Sequence, residues 1–487
     1  MAVSIGTSAN DVILGTNESD QIYGVTGNDI LTGLGSTDTI FGGEGDDVVG
    51  GNGGADSLFG GSGKDLLSGD SGNDDLRGGD GDDRLFGRLG NDQIRGQDGD
   101  DTGYGGGGND SLFGAGGDDS LRGGGGDDRL GGGSGTDTLV AGNADDTLNG
   151  GSGVDTAEGG AGDDSFFVDE AGDIVRETAG GGFDELFSEA ANYVLAGGEF
   201  GYIERAVVGA DAGDSDLRGN EYDNILVGNK AGDNVLVGRS GADTLNGQSG
   251  SDIMQGGSGD DTFLVETSGD QVRELADGGV DLVRSEVRYT LPDGTATAFI
   301  ENLTLRNVGG DIAGGGNSLD NTILGNNANN VLRGFGGEDV IEGGDGDDRL
   351  FGGAEIDRLY GGSGSDLILM QEGDVVFGGA DADSFRFNGD TLGKFGSGGP
   401  VIRDFDGERL NAGNGEDKLV FDTGLETGTF AYIGAAAFSG GGDSEARFDG
   451  NRQVQVDQNG DGIADIAFEI QKLTAANQLT ATDFVWS

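Results

Sequence analysis

From residue 6 to residue 167, apolar side chains fall at every ninth position. A nine-residue unit beginning at Gly6 repeats 18 times without an insertion, and its eighth position is apolar in 17 copies, as at Leu58, Leu67, Leu76, Leu85 and Ile94; Gly103 breaks the row. A single apolar residue flanked by polar or small ones is the alternation of a short β-strand whose central side chain points inward. The rest of each unit is rich in glycine, which predicts a tight turn. The segment therefore reads as a stack of short strands and turns, each repeat adding one side chain to a narrow core.

The polar positions are more regular than the apolar ones. The first position is Gly in 17 copies, Ala141 being the exception, and the fourth is Gly in 14, with Ala9, Glu18, Ser36 and Ala144 departing. The sixth is Asp throughout: Asp11, Asp20, Asp29, Asp38, Asp47, Asp56, Asp65, Asp74, Asp83, Asp92, Asp101, Asp110, Asp119, Asp128, Asp137, Asp146, Asp155 and Asp164. Glycine permits positive φ and lets carbonyl oxygens approach without a side-chain clash. A short carboxylate closes the same turn. Carbonyls and carboxylates from stacked turns can supply the six to eight oxygens that Ca2+ takes, with no nitrogen or sulfur ligand. Glutamate occurs in this segment only at Glu18, Glu44 and Glu158, a discrimination that a merely solvated acidic surface does not require.

Composition narrows the chemistry further. The 487 residues carry a formal net charge of -63, 108 Gly, two Pro and neither Cys nor His. Disulfides, thiolate sites, Ser-His-Asp triads and HExxH zinc sites are excluded. So much negative charge repels phosphates, so nucleic acid is not an expected partner. The N-terminal MAVSIGTSAND has no basic segment followed by an apolar one and no run is long enough to span a membrane, so neither a cleaved signal nor a transmembrane segment is expected.

Beyond Phe167 the pattern stops and then returns. DDSFFVDEAGDIVRE at 163–177 matches DDTFLVETSGDQVRE at 260–274, an offset of 97 that also relates Gly182 to Gly279, Asp184 to Asp281, Ser188 to Ser285, Glu204 to Glu301 and Gly219 to Gly316. One long unit is duplicated. Its alternation of apolar and polar residues predicts longer strands that interrupt or cap the repeat stack. Nonapeptides resume at Gly219, with Asn224 and then Asp233, Asp243, Asp252 and Asp261 in the sixth position, and again at Gly316, with Asn321, Asn330, Asp339, Asp348, Asp357, Asp366 and Asp383. The uncharged Asn positions predict weak or empty opening sites.

The unit GGxGxDxUx, as in GGSGKDLLS at 60–68 and GGDGDDRLF at 78–86, resembles the calcium-binding repeats of the RTX family. The resemblance implies an all-β chain of parallel β-roll solenoids, two repeats per turn, with Ca2+ between repeats i and i+2 on the same edge. It makes the sixth-position aspartates metal ligands, with Asp11 the weakest of the row, and implies about 16 interior sites in the first block and roughly 15 to 25 in the chain. Tyr23, Phe41 and Phe59 would then stack on one face, and Phe86 and Tyr104 on the other. The expected organisation is a roll over 1–167, a spacer over 168–218, a short roll over 219–264, the duplicate spacer over 265–315, a third roll over 316–386 and a final domain over 387–487.

In that final domain, GADADSFRF, VIRDFDG, EDKLVF, AYIGAAAFSG, VDQNGDGIADIAFEI and LTATDFVW together resemble the C-terminal domain of serralysin-type secreted metalloproteases. That resemblance implies recognition by a type I exporter through the closing Asp483, Phe484, Val485 and Trp486, hence a secreted, extracellular or surface-associated protein of a Gram-negative bacterium. The zinc site of that family requires histidines, so its protease activity does not carry over and no enzyme is expected. Strands on either side of DQNGDG predict a hairpin. Asp457, Asn459, Asp461, Gly462 and Asp465 follow the opening of an EF-hand loop, but Phe468 stands where the bidentate Glu belongs, so a calcium loop and a plain turn both remain open. The expected function is a calcium-folded exoprotein with a structural, adhesive or matrix role, with polysaccharide or another copy of itself as partner. The alternatives are the export and calcium portion of a hydrolase, and a carbohydrate-binding solenoid.

Overall fold

In a computed structural model of the chain, the described residues are 2–387 apart from 199–200, 211, 277 and 295–298, together with 401–403, 418–421, 431–432, 445–448, 453–457, 466–470 and 484–486. Secondary structure there is almost wholly β, and no helix is long and apolar enough to cross a membrane. The chain forms two compact units, Met1–Ile253 and Met254–Ser487.

The first unit is a parallel β-roll. Each nonapeptide gives one strand, six residues long in most copies, such as Ser57–Ser62 and Asp75–Asp80, with the second and fourth residues buried. Strands pair in parallel with the strand two repeats on: Ile22 with Ile40, Ile40 with Leu58, Leu58 with Leu76, and Leu76 with Ile94. Alternate repeats build the opposite sheet, where Leu31 pairs with Val49, Val49 with Leu67, and Leu67 with Leu85. The eighth-position side chains of the two sheets meet in the core, where Leu58, Leu67, Leu76 and Leu148 have no exposure. Burying each contributes about 1.5–3 kcal/mol, one such contribution per nine residues.

Two residues per turn adopt left-handed backbone, at the second and fourth positions. Gly61 has φ 122° and Gly63 φ 131°, and a Cβ at Gly61 would stand 2.0 Å from the carbonyl oxygen of Gly43 in the preceding turn. Where the second position is not glycine, as at Val25, Leu34, Arg88, Gln97 and Ala115, φ is still 81–93°, a strain of roughly 1–2 kcal/mol each. From the third repeat onward the fold holds the turn shape at these positions without glycine.

The expectation that the spacer interrupts the roll is met on one face and not on the other. On one face its short strands extend the ladder of the roll, Phe166 pairing with Leu186, Leu186 with Ala206, and Ala206 with Leu226. On the other face the sheet of the roll ends at Ile174–Arg176 and a new one begins at Asn192–Val194, where Tyr193 pairs with Leu217. On the continuous face the repeat distance lengthens from 18 residues to 20, and the added residues lie in the turns.

The second unit repeats the design. Phe263, Val283, Leu303, Ile323, Ile341, Leu359, Val376 and Ile402 run down one parallel sheet. Leu332, Leu350, Ile368, Phe385 and Leu419 run down the other. An antiparallel ribbon follows, in which Gln453–Asp457 pairs with Glu445–Phe448 and with Ile466–Ile470. The latter pairing is the hairpin expected across DQNGDG.

The aromatic ladders also stand where the repeat spacing puts them. Tyr23 stacks on Phe41 at 5.0 Å and Phe41 on Phe59 at 4.7 Å, while Phe86 stacks on Tyr104 at 5.0 Å in the other sheet. The first row ends on the guanidinium of Arg77, 5.2 Å from the Phe59 ring.

Candidate metal centre

Asp47 shows how each turn is built. It closes the glycine turn and is 1% exposed. Its Oδ1 accepts the backbone N–H of Asp29, one turn back, at 2.7 Å. The same bond recurs in every repeat, for example Asp38 N–H to Asp56, Asp65 N–H to Asp83 and Asp128 N–H to Asp146, at 2.6–2.8 Å. One carboxylate oxygen therefore ties each turn to the one before it.

The other oxygen has no such partner. Oδ2 of Asp47 is buried and receives no hydrogen bond, as is true along the roll from Asp29 to Asp164 and at Asp339, Asp348, Asp357 and Asp366. A Cβ at Gly42 would lie 2.3 Å from Asp47 Oδ2 and 2.5 Å from the carbonyl oxygen of Gly60, one turn on. Gly24 stands the same way against Asp29 and Gly42, and Gly132 against Asp137 and Gly150. First-position glycine thus leaves open a small cradle walled by an anionic oxygen and a carbonyl oxygen from successive turns.

An orphaned carboxylate oxygen in a dry cradle is costly. Burial pushes Asp56, Asp74, Asp83 and Asp92 up to about 6, Asp65 and Asp101 to about 7 and Asp146 to about 8. The backbone N–H bond works against burial, and a neighbouring aspartate one turn away adds to it at most of these sites. The donor set is oxygen alone, carboxylate plus carbonyl, which suits a hard divalent cation such as Ca2+ and not a soft one.

Most of the sequence-derived residues occupy this position. Asp29, Asp38, Asp47, Asp56, Asp65, Asp74, Asp83, Asp92, Asp101, Asp110, Asp119, Asp128, Asp137, Asp146, Asp155 and Asp164 line the two edges of the first roll, and Asp243, Asp252, Asp261, Asp339, Asp348, Asp357, Asp366 and Asp383 are buried in the same setting. The opening pair differs. Asp20 Oδ2 accepts Thr16 N–H at 2.6 Å and Thr16 Oγ1 at 2.9 Å, and Asp11 Oδ2 accepts the same two groups of Thr7 at 2.6 and 3.0 Å. A second-position threonine there takes the oxygen that the later turns leave open.

Asp233 requires a correction. It is exposed, and its Oδ1 accepts Ser251 N–H on the outside of the turn. The inward position belongs to Asn234, which is fully buried and donates its own N–H to Asp252. The extra residue of that repeat lies before the acidic position and shifts the register by one. Of the EF-hand-like set, Asp457 ends the strand Gln453–Asp457, while Asn459, Asp461 and Asp465 lie outside the described residues.

Asn224 and Asn330 close their turns with amides, whereas Asn234 Nδ2 is buried without a hydrogen bond. Asn224 Nδ2 donates to Ile203 O at 2.8 Å, and Asn330 Nδ2 to Ile312 O at 3.1 Å. Asn220 and Asn317, in the second position, likewise donate to carbonyls of the preceding turn. A donor sits where the later repeats present an acceptor. These opening turns are bridged by hydrogen bonds.

The structure also adds carboxylates not singled out from the sequence. Asp173, Asp270 and Asp374 continue the ladder but turn Oδ2 onto nearby backbone N–H groups, as Asp374 does to Gln371 at 2.6 Å. Asp184 and Asp281 are buried with Oδ2 unpartnered, and Glu177 and Glu274 are fully buried beside them. Asp173 lies nine residues after Asp164 and Asp270 nine after Asp261, so the repeat register runs one step further than the glycines indicate. The glutamates have no such periodicity; their only signal is recurrence at the offset of 97.

The model of the RTX calcium-binding nonapeptide repeat matches residues 5–175, 229–263 and 315–369 in overlapping copies, more than half of the chain. The chain belongs to the RTX calcium-binding repeat family. No curated protein matches it. Membership brings calcium binding with it, and RTX repeat proteins are typically secreted. In the RTX rolls the cation would be held by oxygens such as Asp47 Oδ2 and Gly60 O. Bound there, it supplies the positive charge that neutralises the buried carboxylates and links successive turns.

Proposed function

We propose that this protein is a calcium-folded exoprotein, exported by a type I machinery and closing into its rolls on meeting extracellular Ca2+, where it serves a structural or adhesive role at the cell surface or in the matrix. The observation that carries the reading is the unbroken row of buried, unpartnered aspartate oxygens from Asp29 to Asp164. A protein that had to fold in the cytosol, where Ca2+ is scarce, would bear this cost without relief. Millimolar extracellular Ca2+ exceeds the roughly 0.1–1 mM dissociation constants of extracellular calcium modules, so binding and folding become one event. Export through the C-terminal segment rests on its resemblance to serralysin-type domains.

The test is fractionation of a producing culture grown with and without Ca2+. Retention on cells or matrix at millimolar Ca2+ and release on chelation is the expected result. A protein equally free in the medium under both conditions overturns the surface role, and one retained in the cytosol overturns export.

One observation favours glycan binding as the attachment chemistry. The Phe86–Tyr104 stack borders an open pocket of about 650 Å³ whose rim carries Arg88 and Asp70. Apolar ring faces beside an ion pair suit a sugar's C–H face and hydroxyls. Binding of the Ca2+-loaded protein to a glycan array, lost in Tyr104→Ala, tests it.

A further inference from the structure

At the end of the first roll the regular cradle changes composition. A Cβ at Gly159 would lie 2.3 Å from Asp164 Oδ2, close to the distance at Gly24, Gly42 and Gly132, but its second neighbour is Glu177 Oε2 at 2.4 Å where those turns have a carbonyl oxygen. A neutral oxygen is replaced by a charged one. Asp184 completes the group, with one ligand oxygen from each of Asp164, Glu177 and Asp184 lying within 4.8 Å of the others.

The same arrangement occurs in the second unit. Asp261, Glu274 and Asp281 form an equivalent trio, and a Cβ at Gly256 would meet Asp261 Oδ2 at 2.1 Å and Glu274 Oε2 at 2.3 Å. The duplication has preserved the cluster and its supports. Glu177 accepts N–H bonds from Gly160 and Thr178, and Glu274 from Gly257 and Leu275.

An acidic cluster alone does not make a site, but these are buried and incompletely satisfied. Asp184 is 1% exposed and Asp281 0%; each spends Oδ1 on a backbone N–H, from Asp164 and Asp261, and leaves Oδ2 without a hydrogen bond. No arginine or lysine among the described residues forms an ion pair with Asp164, Glu177 or Asp184.

We propose that each trio is a second class of calcium site, placed where a nonapeptide roll passes into a spacer and held by three carboxylates. The inference rests on calcium binding by the rolls and goes beyond it by assigning ligands outside the repeat. Affinity rises with ligand charge, so these two sites bind about tenfold more tightly than those between repeats and fill first. The ion there fixes the spacer's first long turn onto the completed roll.

The experiment counts bound Ca2+ by equilibrium dialysis against graded free Ca2+, using the full chain. Wild type should show two ions filling ahead of the rest. Glu177→Gln and Glu274→Gln should each remove one early ion, and the double variant both, while β content at millimolar Ca2+ is retained. Asp83→Asn, inside the roll, should lower the later count and leave the two early ions. Gly159→Ala, which fills the cradle, replaces Glu177→Gln if that variant does not fold. A single undifferentiated class in wild type, or unchanged early binding in the variants, overturns the proposal and leaves the trios as proton-sharing groups. Absence of Ca2+ binding by wild type overturns the calcium-folding reading instead.

Discussion

Removing Ca2+ at neutral pH should open the rolls, and lowering the pH should partly close them again. From Asp56 to Asp164 burial raises the inward aspartates from 3.8 to between about 6 and about 8. Each shift of about two to four units corresponds to roughly 3–6 kcal/mol lost when that side chain is charged in the metal-free fold. Because the cost recurs along the roll, and an ordinary domain is held by only roughly 5–15 kcal/mol, the metal-free fold is opposed at neutral pH. The sign follows from proton uptake: with folded values raised above 3.8, the folded state binds more protons than the unfolded one between about pH 4 and pH 8. Stability of the metal-free roll therefore falls as pH rises through that window. Bound Ca2+ replaces those protons and removes the dependence. Far-ultraviolet circular dichroism of chelator-treated protein should show coil at pH 7.5, partial recovery of β signal at pH 5.5, above the isoelectric point near 4.1, and cooperative recovery at pH 7.5 on adding Ca2+. A chelated protein that is fully β-rich at pH 7.5 refutes the reasoning.

Gly42→Ala should cost one bound ion and raise the Ca2+ midpoint of folding, because its methyl would enter the cradle 2.3 Å from Asp47 Oδ2, whereas Gly125→Ala should be neutral, since nothing lies within 4 Å of its Cβ position; calcium titrations of the two side by side decide this. Leu76→Ala removes a fully buried core side chain and should cost about 2–5 kcal/mol in denaturant unfolding of the Ca2+-loaded protein. Gly103→Leu restores the apolar row on paper but should destabilise by about 1–3 kcal/mol, since Leu121, Ile94 and Leu112 already close on that position at 3.0–3.6 Å. Asn224→Asp removes the amide that donates to Ile203 O; if the amide substitutes for a cation, stability without Ca2+ should fall while the number of bound ions at saturation rises by one.

Much of this was legible because one period governs three properties at once. The nine-residue spacing places Leu58, Asp65 and the glycines between them, and the pairing of alternate repeats then fixes both the ladder and the stacks of Tyr23, Phe41 and Phe59. The spacers were harder to read: Phe166, Leu186 and Ala206 pair at intervals of 20, and a ladder tolerates longer turns that a fixed period does not reveal. Asp233 and Asn234 were confounded because one inserted residue can sit on either side of the acidic position. Glu177 was hidden for a different reason. It stands where turns such as that of Gly42 present a backbone carbonyl, and it lies off the nine-residue register, so no periodic position points to it.

The alternation of repeats between two sheets sets a rule for changes in length. Adding or deleting one nonapeptide would carry every later repeat across to the opposite sheet, so a deletion between Tyr23 and Phe59 would leave each aspartate inward but split the aromatic row between faces. Adding or deleting two would change nothing but the extent of the roll. The heritable unit of this protein's length is therefore the 18-residue turn, and populations of related chains should differ in multiples of it wherever the outer faces are used.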